Sequence, residues 1–303
     1  MGKDAVIKAR KILKDGGIVI YPTDTAFGIG CRMDDRRAVD RLFTIRRRPL
    51  IQATPVLVSS QNQALAYYLD PSEIVRHLMK NYWPGALTVI ARCDKKLVYS
   101  PIRGGGETIG LRMPNHDAAL ELIRGVGIPI LGPSANFHGH PTPYRYEDLD
   151  PELIRLVDFV VSGEAGSRDA GPSTVVDCSV RPYQIVRQGS IVLREVTIVI
   201  DSSGSETIGV VLEMDGGKRH EIKSAVSKSK AQEVLPLIEK LLIGKGLTID
   251  DVREIRVNTG PGSYTGLRVG IAIANTLGFL LGVPINGLSA GRHAFPVYES
   301  DRW

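Results

Sequence analysis

Apolar residues at Ala5, Val6, Ala9, Ile12 and Leu13 share one face of a helix over residues 5–14, and Gly16-Gly17 ends it. The run Ile18-Val19-Ile20-Tyr21 then reads as a strand that Pro22 stops, so Thr23 and Thr25 stand where the backbone leaves a sheet. Strand patterns recur at 55–59, 86–91, 107–113, 128–131, 157–161, 173–177 and 183–187, and helical spacing at 36–45, 61–68, 72–81 and 116–125. Strands and helices mixed in this way describe an open α/β sheet. After residue 195 the pattern changes. Val196 to Asp201 and Thr207 to Glu213 form a strand, a turn and a returning strand, followed by helices over 231–243 and 267–281. The first of these helices is strongly apolar and the second is apolar almost all round, so one small sheet leaves both in need of cover, from the first domain or from another protein.

Loops at strand ends are where α/β proteins bind ligands. Here the loop Pro22 to Cys31, with its threonines and glycines, is followed by Arg46-Arg47-Arg48-Pro49, a combination suited to an anion. Four further segments carry compatible groups. One strand ends on Arg112; Ser134 and Asn136 follow another strand directly; Ser173 and Thr174 open a third; and Arg187 lies beside the turn Gln188-Gly189. Taken alone, Ser134, Asn136 and Ser173 are equally turn or cap residues. Neither GxxxxGK[ST] nor a GxGxxG after a first strand occurs, so side chains and strand-end loops must hold any anion. In the last third, Gly260-Pro261-Gly262-Ser263-Tyr264-Thr265-Gly266 turns into a helix. It is either a helix start capped by Ser263 or Thr265, or an anion site on free amides.

Charge separates the two parts. Residues 1–195 hold 26 Lys and Arg, 19 of them Arg, against 21 Asp and Glu, whereas residues 196–303 hold 12 against 12. The net charge of +5 therefore belongs to the first part. A chain of 303 residues with 43% hydrophobic and 23% charged content can bury one large core or two modest ones. With no signal-peptide core and no apolar stretch of membrane-spanning length in this reading, the expected location is the cytoplasm. Cys31, Cys93 and Cys178 are far apart and form no CxxC, which points to reduced, buried thiols. Domains at 1–194 and 195–303 joined by only a few residues imply a fixed or nearly fixed mutual orientation.

Tyr21 to Cys31, the arginine cluster with Pro49, Tyr82-Trp83-Pro84-Gly85-Ala86-Leu87-Thr88, Thr108 to Pro114, Pro133 to Asn136, Ser173 to Asp177 and Arg187 to Gly189 resemble, in order, the YrdC/TsaC family over residues 3–193. The resemblance implies an open, twisted YrdC-like sheet and an L-threonylcarbamoyladenylate synthase. Such a nucleotidyltransferase joins L-threonine, bicarbonate and ATP with release of pyrophosphate, in tRNA threonylcarbamoyladenosine modification. It implies that Thr23, Arg112 and Ser173 hold threonine. Arg46, Arg48, Thr108, Ser134, Asn136, Thr142 and Arg187 would hold ATP and the carbamate, with Arg46 and Arg48 catalytic through their charge. Mg2+ would accompany ATP, and Asp24 is either its ligand or a loop or capping residue. With every reactant anionic, positioning and charge neutralisation carry most of the rate. Two departures stand out: Arg46 replaces the first lysine of the family's Lys-x-Arg-Pro, and Leu50 to Pro55 lacks the usual basic residue.

Ile200-Asp201-Ser202-Ser203 and the glycine run resemble TsaB, partner of the transferase TsaD, over residues 196–290. This implies a half ASKHA (actin/RNase H-like) domain, its N-terminal lobe only. It would dock a TsaD-like transferase through a helix face including Val234, Leu235, Ile238 and Leu277, with a homodimer through the same face as competitor. No metal site is implied, since Ser227-Lys228-Ser229-Lys230-Ala231 contains no histidine. Transient tRNA contact is expected and membrane association is not. Competing readings are an RNA- or tRNA-binding module without synthase activity, and a carbamoyltransferase of the hydrogenase-maturation type, which its missing acylphosphatase and Cys-rich zinc segments disfavour. The tail Gly291 to Trp303 resembles nothing recognisable.

Overall fold

The computed structural model describes residues 3–166, 171–193, 195–214, 217–225 and 231–298. The chain divides into two compact units, Met1–Val192 and Leu193–Trp303.

In the first unit the order is α1 (Lys3–Lys14), β1 (Val19–Pro22), β2 (Phe27–Gly30), α2 (Arg36–Ile45), β3 (Val56–Leu57), α3 (Gln61–Leu65), α4 (Glu73–Tyr82), β4 (Leu87–Arg92), β5 (Thr108–Arg112), α5 (Asp117–Val126), β6 (Ile130–Leu131), α6 (Pro151–Leu156), β7 (Phe159–Val160), β8 (Thr174–Asp177) and β9 (Gln184–Arg187). Two mixed sheets result, β2-β1-β7 and β6-β3-β5-β4-β8-β9, where the pattern suggested one open sheet. Leu13 of α1 and Leu122 and Ile123 of α5 pack with Val19 and Tyr21 of β1 in a continuous core. Asp35 caps α2 by accepting from the Ala38 N–H at 3.1 Å.

Phe27 to Gly30, read from sequence as loop, is a buried strand, and Pro22 is the last residue of β1 rather than a stop before it. The reason is a seam between the sheets. Ile29 N–H donates to Pro133 O at 2.9 Å, Leu131 N–H to Cys31 O at 2.9 Å and Ala135 N–H to Phe27 O at 2.8 Å. The buried Tyr21 hydroxyl donates to Leu131 O at 2.7 Å. Backbones run so close here that a Cβ on Gly30 would lie 2.0 Å from Leu131 O. The seam brings the ends of β1, β5 and β8 and the turn after β6 around one cleft.

In the second unit β10 (Val196–Asp201), β11 (Thr207–Met214), β12 (Lys218–Ala225), α7 (Ala231–Gly244), β13 (Val252–Val257) and α8 (Tyr264–Leu281) build a four-stranded sheet ordered β12-β11-β10-β13. Strand β13 pairs parallel with β10; the other neighbours are antiparallel. Helix α8 turns Gly266, Gly270, Ala274 and Gly278 inward, which permits close approach; a Cβ on Gly270 would lie 2.2 Å from Ser202 Oγ. Ser263 caps α8, accepting from Gly266 N–H at 3.1 Å, so the helix-start reading of the glycine run holds. At 18 residues and a mean hydropathy of 1.3, α8 is long and apolar enough to cross a membrane, which corrects the expectation that no such stretch exists. Its Leu267, Ile271 and Ala274 pack into the sheet core instead.

The expected partner face needs correcting too. Val234 is fully buried in that core, because it faces the sheet, and Ile238 is 3% exposed. Leu235 remains 49% exposed, and with Ile238, Leu242, Ile243, Ile249 and Leu277 it lines an apolar groove of about 500 Å³. Ser227 to Lys230 and residues 299–303 lie outside the described residues. All three cysteines are buried and form no disulfide.

Candidate active site

The loop after β1 folds on its own hydroxyls. Thr23 Oγ1 donates to Ala26 O at 2.6 Å, so across the 3.2 Å gap to Thr25 Oγ1 it is Thr25 that donates and Thr23 that accepts. Arg112, at the end of β5, closes this corner. Its Nη1 donates to Thr25 Oγ1 at 2.7 Å, its Nε to Gly85 O at 3.1 Å, and its Nη2 to the Asp24 carboxylate. Both members of that ion pair are largely buried, with side-chain exposures of 7% and 15%. Asp24 is therefore the counter-ion of Arg112.

On the opposite wall Ser173 Oγ lies 3.0 Å from Thr88 Oγ1 and accepts from Arg187 Nη2 at 3.0 Å. Arg187 is further fixed by Ser173 O, 3.1 Å from Nε and 2.9 Å from Nη2. Arg48, just past α2, is tied back by Nε to Gln52 O at 3.1 Å and by Nη2 to Ala53 O. The segment that lacks the expected basic residue thus anchors an arginine through its carbonyls. Arg46, nearly buried, donates from Nε to Asn136 O at 3.1 Å and from Nη2 to Asn136 Oδ1 at 3.3 Å.

The resulting cleft, about 210 Å³, is lined by Arg46, Arg48, Arg112 and Arg187 and, among the described residues, by no carboxylate. Of the four arginines, among the described residues only Arg112 has an acidic partner. Burial pulls Arg46 down to about 10, with the nearby charge of Arg48 adding to the effect; burial likewise lowers Arg48 and Arg187. All remain cations at neutral pH. Three guanidinium groups without an acidic partner among the described residues, Arg46 buried, Arg48 half-buried and Arg187 exposed, converge on one cleft and suit an anion. Among the described residues the donor set does not suit a divalent cation held by the protein, since their lining offers no carboxylate and Asp24 is taken by Arg112.

Residues 11–189, more than half of the chain, match the family model Sua5_yciO_yrdC, described as telomere recombination. The chain belongs to the Sua5/YciO/YrdC family. The threonylcarbamoyl-AMP synthase of Bacillus subtilis is 32% identical over 196 residues, 64% of this chain and 56% of the Bacillus protein. The chain thus spans little more than half the length of that relative. A solved structure of Pyrococcus abyssi Sua5 complexed with L-threonine shares the fold, with a TM-score of 0.58 at 21% identity over 92% of this chain and 87% of that one. Escherichia coli YciO superposes with a TM-score of 0.56 at 27% identity over 62% of this chain and 90% of its own. Residues 223–294 match a second model, TsaD, described as tRNA N6-adenosine threonylcarbamoyltransferase.

Within this Sua5/YciO/YrdC fold, Thr23, Arg46, Arg48, Arg112, Ser134, Thr142, Ser173 and Arg187 all line the cleft. Thr108 does not. It opens β5 opposite Arg92, whereas Arg112 closes that strand, and four steps along a strand separate the two by about 13 Å. Asn136 is not among the lining residues either; it stands behind the wall and touches the cleft through Arg46 and Ser134. Sequence reasoning placed Thr25 in the candidate loop without giving it a ligand, and missed Thr88 and Tyr144 as wall residues. The spacing of Thr25 two residues from Thr23 was a usable signal; Tyr144 carried none.

Proposed function

We propose that the first unit is an L-threonylcarbamoyladenylate synthase. The observation that carries this reading is the cleft with four arginines, no carboxylate among the described residues, and paired hydroxyls on two walls. Threonine binds with its carboxylate toward Arg112 and its hydroxyl among Thr23, Thr25 and Ser173. The nucleotide phosphates face Arg46, Arg48 and Arg187, with Ser134 and Thr142 beside them. Mg2+ enters, if needed, on the phosphates as part of the substrate. The amine forms a carbamate with bicarbonate, losing water; a carbamate oxygen then attacks the α-phosphorus as the bond to pyrophosphate breaks. Each arginine is held by a carbonyl, hydroxyl or carboxylate before the ligand arrives, so negative charge that builds on the leaving pyrophosphate meets donors already in place.

The reading for the second unit, residues 195–303, is a TsaB-like half ASKHA lobe that docks a TsaD-like transferase at the groove between Leu235 and Leu277, keeping the labile adenylate near its consumer. The TsaD-model match and the exposed apolar groove support it. Self-association through the same groove is the competing reading, while transient tRNA contact in the cytoplasm accompanies the docking one.

The test is pyrophosphate release from ATP by the full chain, with and without L-threonine and bicarbonate, and with serine as control. Release that requires both co-substrates and discriminates against serine is the expected result. ATP binding without release would instead favour a nucleic-acid-binding module, to be checked by a steep salt dependence of tRNA binding.

A further inference from the structure

The turn after β6 is built on a single amide. Asn136 Oδ1 accepts from Ser134 Oγ at 2.5 Å and from Arg46 Nη2 at 3.3 Å, its Nδ2 donates to His140 O, and its carbonyl accepts from Arg46 Nε at 3.1 Å. Every polar group of the side chain is occupied inside the protein, and Asn136 is 8% exposed. Arg46 is left with Nη1, which is buried and has no hydrogen-bond partner. A buried donor without an acceptor is destabilising, and at the wall of a positively charged cleft the missing acceptor is an oxygen of the ligand.

We propose that Asn136 is a positioning residue that never touches the ligand: its side-chain Oδ1 holds Nη2 while its main-chain carbonyl holds Nε, which fixes the Arg46 guanidinium at the cleft wall and leaves Nη1 as the one nitrogen without a partner in the protein. The grip is directional. A guanidinium held on two of its nitrogens has little freedom about its last bonds, so the third meets the anion without an ordering cost. Arginine suits this arrangement because one nitrogen remains for the ligand after two are spent on the protein, a division that a lysine ammonium does not offer in fixed directions. Ser134 is aligned by the same amide, which orients its lone pairs toward the cleft while its proton points to Asn136.

The inference rests on the cleft's taking a phosphate anion, so binding is measured apart from turnover. Calorimetry with inorganic pyrophosphate and with ATP is run on the full chain, on Asn136→Ala, on Arg46→Ala and on the double variant, with thermal unfolding followed in parallel. Asn136→Ala is expected to weaken pyrophosphate binding about tenfold in the native background and less than about twofold when Arg46 is already alanine. ATP KM rises accordingly and the threonine KM stays within error, while the unfolding temperature falls by a few degrees, since Ser134, Arg46 and His140 each lose a bond, with the folded fraction still complete at the assay temperature. Additive effects of the two substitutions, or unchanged binding by Asn136→Ala, would overturn the proposal. Asn136→Asp provides a second reading that keeps the Oδ1 acceptor for Arg46. A loss of about tenfold fits a charge acting through Arg46, whereas a loss beyond about a hundredfold means direct contact with the anion and rejects the proposal. A native chain that binds neither pyrophosphate nor ATP removes the anion site and the inference with it.

Discussion

The two units solve the problem of surface in opposite ways. The first gathers charge: Arg46, buried, Arg48, half-buried, and Arg187, exposed, share a cleft with most of their donors tied to carbonyls and a hydroxyl, and among the described residues only Arg112 has an acidic partner, Asp24. The second leaves apolar surface in water, with Leu235 at 49%, Phe279 at 71% and Leu280 at 61% exposure. Buried charge without a partner and exposed apolar area without cover are both costly, and both are relieved only by something that binds. The first region asks for a small anion, the second for a macromolecular face.

The largest effect expected is at Arg112. Arg112→Ala leaves Asp24 buried and alone, which costs about 3–5 kcal/mol of stability and lowers pyrophosphate release by about a thousandfold or more. Chemical unfolding and turnover measure the two losses. Adding Asp24→Asn to that variant should recover stability without recovering turnover, which separates the structural pair from the substrate contact.

Next comes the independence of the regions. Leu235→Glu should leave pyrophosphate release within about twofold of the native chain while abolishing capture of a TsaD-like partner, whereas Val234→Glu, one residue away and in the core, should unfold the second unit. Circular dichroism and pull-down distinguish these outcomes. A fall in turnover for Leu235→Glu would break the comparison.

The smallest effect is a flat line. Burial sets the folded pKa of Arg46 below that of the unfolded chain, so the unfolded state holds this proton more tightly. The resulting penalty is fully present below the folded value of about 10 and fades only as pH rises from there toward the ordinary arginine value. Pyrophosphate affinity should accordingly show no titration of Arg46 across the neutral range and decline only above it. A midpoint near neutrality, after correction for the ligand's own protonation, would place a different cation in the cleft.

Much of the fold was legible because hydrophobic period and side-chain burial coincide. The helix at 36–45 and the strand at 196–201 have the bounds their patterns give. Phe27 to Gly30 was not legible, since two of its four residues are glycines kept small for the approach of Leu131, and glycine reads as a loop. Strand β12 escaped notice because Lys218 to Ala225 is a polar, mostly exposed run that earns its place through main-chain pairing with β11. In the site, motifs found the arginines and hydroxyls on strand ends. They placed Thr108 at the wrong end of its strand, since a motif counts residues and not rises. Asn136 was assigned to the ligand because an amide's orientation is fixed by neighbours 90 residues away in the chain.

The seam between β2 and residues 131–135 has a mechanical consequence. Three main-chain hydrogen bonds and the Tyr21 tie clamp the sheets along one margin, behind the cleft. A vessel welded at its back has a fixed depth, and any give is confined to its rim. The clamp reaches further along the wall, since Phe27 N–H donates to Pro143 O at 3.0 Å and so ties the Thr142 to Tyr144 stretch to the same strand.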